Sequence, residues 1–148
     1  MKRIRKILYA TDYSKASERA LEEAINLAKQ NEAELLVVHV IEPIPYGGGE
    51  EFAGAELYMK LEDATKREAQ TSMAKLIRRL QRSKVKAKSL LLRGSTHAQI
   101  VRAAKSKKVD MIVIGTHGRT GWSKLFMGSV AAKVVSAATC PVVTVRGK

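Results

Sequence analysis

The chain has 148 residues, 45% of them hydrophobic and only 5% aromatic, and carries a formal charge of +13. That length suits one domain, residues 1–148, burying about 70% of its unfolded surface around a core of aliphatic side chains. No segment approaches the ~20 consecutive apolar residues of a membrane span, and a lone cysteine, Cys140, excludes an internal disulfide framework.

The basic start, Met1 to Lys6, leads through Ile7-Leu8-Tyr9-Ala10 straight to Asp12. This apolar run is too short for a signal-peptide core, so a cytoplasmic location is expected. Ile4 to Ala10 reads as a first strand. Ser14 is placed to cap a helix with Ala20, Leu21, Ala24, Ile25 and Ala28 on one face. Leu35 to Ile41 is continuously apolar, a strand covered on both faces. Pro43, Pro45 and Gly47-Gly48-Gly49 then break the chain, and a mobile flap is expected there. A long helix from Ala55 to Arg82 places Leu57, Leu61, Ala64, Met73, Leu76, Ile77 and Leu80 on its apolar positions. Its acids come early and its bases late, as the helix dipole favours. Ser89 to Arg93 reads as a strand, Ser95 to Lys107 as a helix with Ile100, Val101 and Ala104 inward, and Val109 to Ile114 as a strand. Gly128 to Ala138 holds the last helix, patterned by Val130, Val134, Val135 and Ala138, and Pro141 to Val145 the last strand.

Strict alternation with short connections predicts an α/β fold: an open five-stranded parallel sheet with helices on both faces, Rossmann-like. Ligands of such sheets bind beyond the carboxyl ends of the strands. Three segments lie at such ends: Ala10-Thr11-Asp12, Val40-Ile41-Glu42 and Gly115-Thr116-His117-Gly118.

The last of these carries the sharpest signal. Nine residues after Gly118 comes Gly128-Ser129-Val130, opening a helix. A glycine-punctuated loop between a buried strand and a helix N-terminus offers unpaired N–H groups and a positive dipole end, and phosphate is the usual guest. Gly115 and Gly118 remove side chains where a ligand would approach. Ser129 and the N–H of Val130 could donate to phosphate oxygens; alternatively the glycines only shape a turn and Ser129 caps the helix. Neither the Walker A pattern nor GxGxxG is present. Asp12 could be a Mg²⁺ ligand, an acceptor for a ribose hydroxyl, or an Asx-type cap for the N–H of Ser14 or Lys15. The histidines lack metal-ligand spacing. His39 reads as a satisfied core or rim group and His97 falls in the first turn of a helix, whereas His117 and Arg119 could reach phosphate. No Ser/His/Asp, Cys/His or paired-carboxylate arrangement emerges, so no catalytic residue is assigned. Cys140 reads as a small buried apolar residue. The basic stretches Lys75–Lys88 and Arg102–Lys108 alternate with core positions and lack aromatic interleaving, as a solvated face would.

With these residues in view, the chain resembles the universal stress protein family over essentially its whole length. The family hallmark is Gly, two residues, Gly, nine residues, then Gly followed by Ser or Thr; here Gly115, Gly118, Gly128 and Ser129 supply it. Ala10-Thr11-Asp12-Tyr13-Ser14, His39-Val40 and the closing Cys140-Pro141-Val142-Val143-Thr144-Val145 are similar too. The resemblance implies that Ala10, Thr11 and Val40 contact adenosine and that Asp12 faces ribose or a bridging Mg²⁺. It further implies that Gly115, Gly118, Gly128, Ser129 and Val130 hold phosphates, with Ile114, His117 and Arg119 completing the site. ATP, or AMP or ADP, is the implied ligand, and a homodimer through the last strand the implied assembly. Two departures stand out: Ala131 and Ala132 follow where polar residues are frequent, and Thr96 stands where proline is frequent. The expected function is an ATP-binding regulator of stress adaptation with a protein partner and slow or no hydrolysis. The alternatives are a basic module for nucleic acid or polyphosphate, and a slow nucleotide hydrolase.

Overall fold

The computed structural model describes residues 2–45, 52–117 and 127–147, with the backbone alone at 52 and 53. Its elements run β1 (Lys6–Ala10), α1 (Glu18–Asn31), β2 (Glu34–Ile41), α2 (Phe52–Arg82), β3 (Ala87–Arg93), α3 (Thr96–Ser106), β4 (Met111–Gly115), α4 (Ser129–Ala137) and β5 (Val142–Val145). All neighbours in the sheet are parallel, in the order β3-β2-β1-β4-β5. The α/β alternation read from the sequence is therefore the architecture found. Gly47 to Gly49, Gly118 and Arg119 lie outside the described residues.

The pleat divides the apolar side chains between two cores. Ile7, Tyr9, Leu35, Val37 and Val113 pack under α1 and α2, against Leu21, Ala24, Met73 and Leu80. Leu8, Leu36, Val38, Ile112 and Ile114 pack under α3 and α4, against Ile100, Ala104, Ala131 and Val134. Burial on both faces explains why these strands read as unbroken apolar runs. Cys140 is half-buried at the edge of the second core, and burial pushes its thiol up, which suits an apolar filler.

Helices α1, α2 and α3 end in the same way, α2 at Arg82 as the sequence implied. Glu32, Lys84 and Lys108 adopt left-handed backbone (φ 53°, 61° and 53°), and the next residue donates its N–H back to the helix just ended. Those bonds are Ala33 to Ala28, Val85 to Leu80 and Val109 to Ala104, at 2.9, 3.1 and 3.0 Å. Each is the six-to-one closure of a Schellman-type C-cap, with a buried apolar residue following the turn. Val109 thus ends α3 and does not begin β4. Charged residues fill a position usually given to glycine, so the caps were invisible as glycine signals. Ser14 precedes a short 3-10 turn, Lys15–Ser17, without a side-chain cap bond, and α1 starts three residues later than its candidate cap implies.

The long helix is corrected more substantially. Leu57 and Leu61 are 59% and 47% exposed, and Ala64 is exposed as well. The inward face of α2 passes instead through Tyr58, Glu62, Thr65, Ala69, Met73 and Leu80, about 100° round the helix from the apolar stripe. Glu62 can face inward because it is paired: its carboxylate accepts the N–H of Ile44 at 3.1 Å and meets Arg93 at 2.7 Å. Burial pushes this carboxyl up, but the Ile44 N–H, the Tyr58 hydroxyl and Arg93 outweigh it and hold it below its ordinary range. In α3 the buried positions are Ile100, Ala103 and Ala104, with Val101 half-buried; in α4 Val135 is 45% exposed. Among the described residues no helix is long and apolar enough to cross a membrane.

The two faces of α2 separate cleanly by mutation. Leu80→Ala, at a position with no exposure, is expected to cost about 2–5 kcal/mol in urea unfolding. Leu57→Ser is expected to stay within ~0.5 kcal/mol of the parent; an equal loss for both would place the Leu57 stripe in the core.

Candidate functional site

β1 ends early. Its last residue, Ala10, pairs with Val38, while β2 continues to Ile41. β1 also lies where the strand order reverses, so the chain diverges on either side and leaves a crevice above it. A cavity of about 270 Å³ opens there, floored by Ala10, Val38 and Ile114 and bounded by the ends of β1, β2, β4, α3 and α4.

The hydrogen-bond register decides what the backbone offers to this cavity. Thr11 donates its N–H to the Val38 carbonyl (2.9 Å), and Gly94 donates to Ile41 (3.0 Å). Even-numbered residues of β2 therefore turn their peptide groups towards β1 and odd-numbered ones towards β3. Val40 is the next even residue, and β1 has already left the sheet. Its N–H and C=O thus face the crevice as an adjacent donor and acceptor. The Thr11 carbonyl, the natural strand partner of that N–H, is instead met by Nδ1 of His39 at 2.7 Å.

A strained turn holds β1 to this course. Tyr13 sits in left-handed backbone (φ 62°), which costs a non-glycine residue about 1–2 kcal/mol. Three contacts offset the strain. The Tyr13 N–H donates to Thr11 Oγ1 (2.9 Å), its hydroxyl donates to the Ala69 carbonyl of α2 (3.1 Å), and its ring lies on His39 with centroids 4.3 Å apart. Burial, then the neighbouring Tyr9, pushes the Tyr13 hydroxyl up to about 12, so it remains a neutral donor. Ser17 Oγ donates to the Ser14 carbonyl at 2.7 Å, which leaves Thr11 as donor in the buried 3.3 Å Thr11–Ser17 contact.

Asp12 Oδ1 accepts the N–H of Ser14 at 2.9 Å, so the Asx-type cap read from the sequence is formed. The residue also lines the cavity, and one side chain serves both places. At the opposite wall the N-cap of α4 is Gly128, with no side-chain cap bond. Ser129 is therefore the first helical residue and not the cap, and it lines the cavity with Val130. Gly128 donates to the Thr116 carbonyl at 2.6 Å, and a Cβ there would lie 3.0 Å from the same oxygen. Any larger residue there would press on that carbonyl, which would have to yield by a few tenths of an ångström. Gly115 differs: a Cβ would make ordinary 3.5 Å contacts with Ala16 and His117. His117 Nδ1 contacts Thr116 Oγ1 at 2.9 Å, and its buried Nε2 has no hydrogen-bond partner. His97 pairs with Ser95 at 3.3 Å and does not line the cavity.

Thus Ala10, Thr11, Asp12, Val40, Ile114, Gly115, His117, Gly128, Ser129 and Val130 all converge on one cavity. Sequence reasoning missed Glu42 and Thr96, which close its far end through a 2.6 Å bond from the Thr96 hydroxyl to Glu42 Oε1. The position of Glu42 at a strand's carboxyl end was the available signal. Among the described lining residues the carboxylates are Asp12 and Glu42, and no lysine or arginine is present.

The universal stress protein family matches residues 3–146. The chain belongs to the universal stress protein family. It is 36% identical to a universal stress protein of Methanocaldococcus jannaschii over 96% of this chain and 82% of the relative. It is 39% identical to one of Thermus aquaticus over 95% of this chain and 97% of the other. A solved structure of a second M. jannaschii protein superposes with a TM-score of 0.87 at 29% identity, covering 99% of both chains. More distant neighbours, at 20–22% identity and TM-scores of 0.64–0.70, share the fold and were solved with cAMP, AMP or dAMP.

In this family member the Tyr13 turn is open to direct test. Tyr13→Phe keeps the ring on His39 and removes the hydroxyl bond to Ala69. It is expected to cost about 1 kcal/mol, a fall of roughly 2–4 °C in calorimetric Tm; an unchanged Tm would mean that this bond does not brace the turn.

Proposed function

We propose that this universal stress protein is a cytoplasmic, single-domain adenine-nucleotide-binding regulator, taking ATP with Mg²⁺ and hydrolysing it slowly or not at all. One observation carries the reading: a single crevice joins a Val40 backbone donor and acceptor unpaired among the described residues, a carboxylate at Asp12 and a helix N-terminus without a side-chain cap at Gly128-Ser129. These suit in turn the edge of a base, the hydroxyls of a ribose and the oxygens of a phosphate chain. In this reading Ala10, Thr11 and Ile114 flank the nucleoside. Gly115, His117, Ser129 and Val130 take the phosphates, with Gly118 and Arg119 of the connecting segment. The nucleotide-bound neighbours of the same fold support it.

A Mg²⁺ that travels with ATP needs only one or two protein carboxylates beside the phosphates and water. Asp12 fits that donor set. Among the described residues no cluster of three metal-ligating side chains exists, so the ion would be held chiefly through its nucleotide, neutralising phosphate charge. The reading of slow turnover follows from the commitments of the two lining carboxylates. Asp12 serves a turn and Glu42 is bonded to Thr96, so neither is placed as a general base.

Thermal unfolding tests this reading. A ligand at about 100 times its Kd stabilises by ~2.7 kcal/mol, several degrees at this chain length. The shift is expected to be larger with ATP and Mg²⁺ than with AMP. Ser129→Ala should weaken ATP binding about tenfold in calorimetric titration. No shift with either nucleotide would make the glycine loop a structural turn and favour the basic-surface reading.

The assembly belongs to the same proposal. β5 is an edge strand of four half-buried residues, and such edges tend to find partners. Pro141 and Val145 turn their carbonyls towards β4, accepting from Ile112 and Thr116, so Val142 and Thr144 present their peptide groups outward. Light scattering is expected to give twice the chain mass. Thr144→Pro, which deletes an outward N–H, should give the single-chain mass with the fold retained; a parent of single-chain mass at high concentration refutes the dimer.

A further inference from the structure

The nucleotide reading gives the base Val40 but leaves Glu42 and Thr96, which close the same end of the cavity, without a role. Sheet order places the ends of β2, β1 and β4 side by side across the crevice. The α4 N-terminus lies beyond β4, so a phosphate seated there puts the base at the β2 and α3 end. Val38, Val40 and Ile100 make that end apolar, and Glu42 and Thr96 close it. The Thr96 hydroxyl donates to Glu42 Oε1 at 2.6 Å. This short charge-assisted bond fixes the plane of an otherwise exposed carboxylate and leaves Oε2 as the oxygen that meets an incoming group.

We propose that Glu42, held by Thr96, reads the exocyclic amine of the base and makes the site selective for 6-aminopurine over 6-oxopurine nucleotides. The proposal rests on the nucleotide reading above and names what its base end recognises. A 6-aminopurine offers a ring nitrogen acceptor beside an amine with two hydrogens. The outward N–H and C=O of Val40 match the ring nitrogen and the first amine hydrogen. Glu42, two residues further along the same chain, takes the second. A carboxylate only accepts, so a 6-oxopurine, which puts carbonyl lone pairs in place of the amine, meets repulsion at Glu42.

ATP and ITP isolate this contact, because they differ in the 6-amino and 6-oxo groups while carrying the same phosphates. Calorimetric titration of the full chain with each, at fixed Mg²⁺ and salt, gives an affinity ratio from which the lost charge of a Glu42 variant cancels. The parent is expected to favour ATP strongly. Glu42→Ala, at an exposed position, should lower the ATP-to-ITP ratio about tenfold, and Thr96→Val should lower it by a smaller factor while leaving Glu42 in place. A ratio unchanged in Glu42→Ala overturns the proposal while the nucleotide reading stands. A parent that binds neither ATP nor ITP overturns both.

Discussion

The site depends on where β1 stops. Had β1 continued beside β2, Val40 would have been consumed by the sheet and the floor of the crevice would have been filled. It stops because Tyr13 takes a left-handed turn that its side chain then secures on α2 and on His39. The turn has three consequences. It frees the Val40 peptide, brings Asp12 to the cavity wall, and leaves the Thr11 carbonyl, just past β1, to His39. Strain of about 1–2 kcal/mol is tolerable because both cores hold β1 immobile: Ile7, Leu8 and Tyr9 are at most 1% exposed. A strand this deeply packed can end abruptly without the rest of the sheet following it.

Most of the architecture was legible in the sequence because parallel strands buried on two faces leave an unambiguous apolar run, as in Leu35 to Ile41, and the helices between them keep a clean period. The candidate residues converged because strand ends in such a fold are forced onto one edge. What was not legible has specific causes. The apolar stripe through Leu57 and Leu61 looks like a core face, but the inward face there is carried by Tyr58 and Glu62, whose polarity is satisfied by Ile44 and Arg93. Periodicity counts apolar residues and cannot see a carboxylate turned inward and paired with an arginine at the surface. Glu32, Lys84 and Lys108 end helices as glycine usually does, so residue identity gave no warning of those turns. The Glu42–Thr96 contact joins residues 54 positions apart, and only the fold brings the β2 and α3 ends together.

The charge of the chain and that of the described cavity lining differ in sign. A formal +13 would fill a cavity with cations if it were spread without regard to place. Instead Lys2, Arg3, Arg5, Lys6 and Lys108 gather around Asp110 at the opposite, amino-terminal edge of the strands. There Asp110 accepts the N–H groups of Arg5 and Lys6 at 2.9 and 3.0 Å. These bonds hold its carboxyl below its ordinary range and pin the start of β1 to the start of β4. The described cavity lining keeps two carboxylates and two histidines.

An acidic lining under a proposed phosphate ligand has a consistent physical meaning. Asp12 follows β1 at the middle of the crevice, and Glu42 follows β2 at the end away from β4 and α4. A phosphate chain entering the wrong way round would meet Glu42 and be repelled; seated at the helix end, it meets N–H dipoles. Each carboxylate is also committed through one oxygen, Asp12 to the Ser14 N–H and Glu42 to the Thr96 hydroxyl, which fixes its direction before any ligand arrives. A proline at position 96 would have no donor to offer Glu42. This chain therefore carries at its base end a fixed acceptor that proline at that position could not orient. In the proposed reading, repulsion sets the direction of the ligand and the pre-aimed oxygen sets the identity of its base.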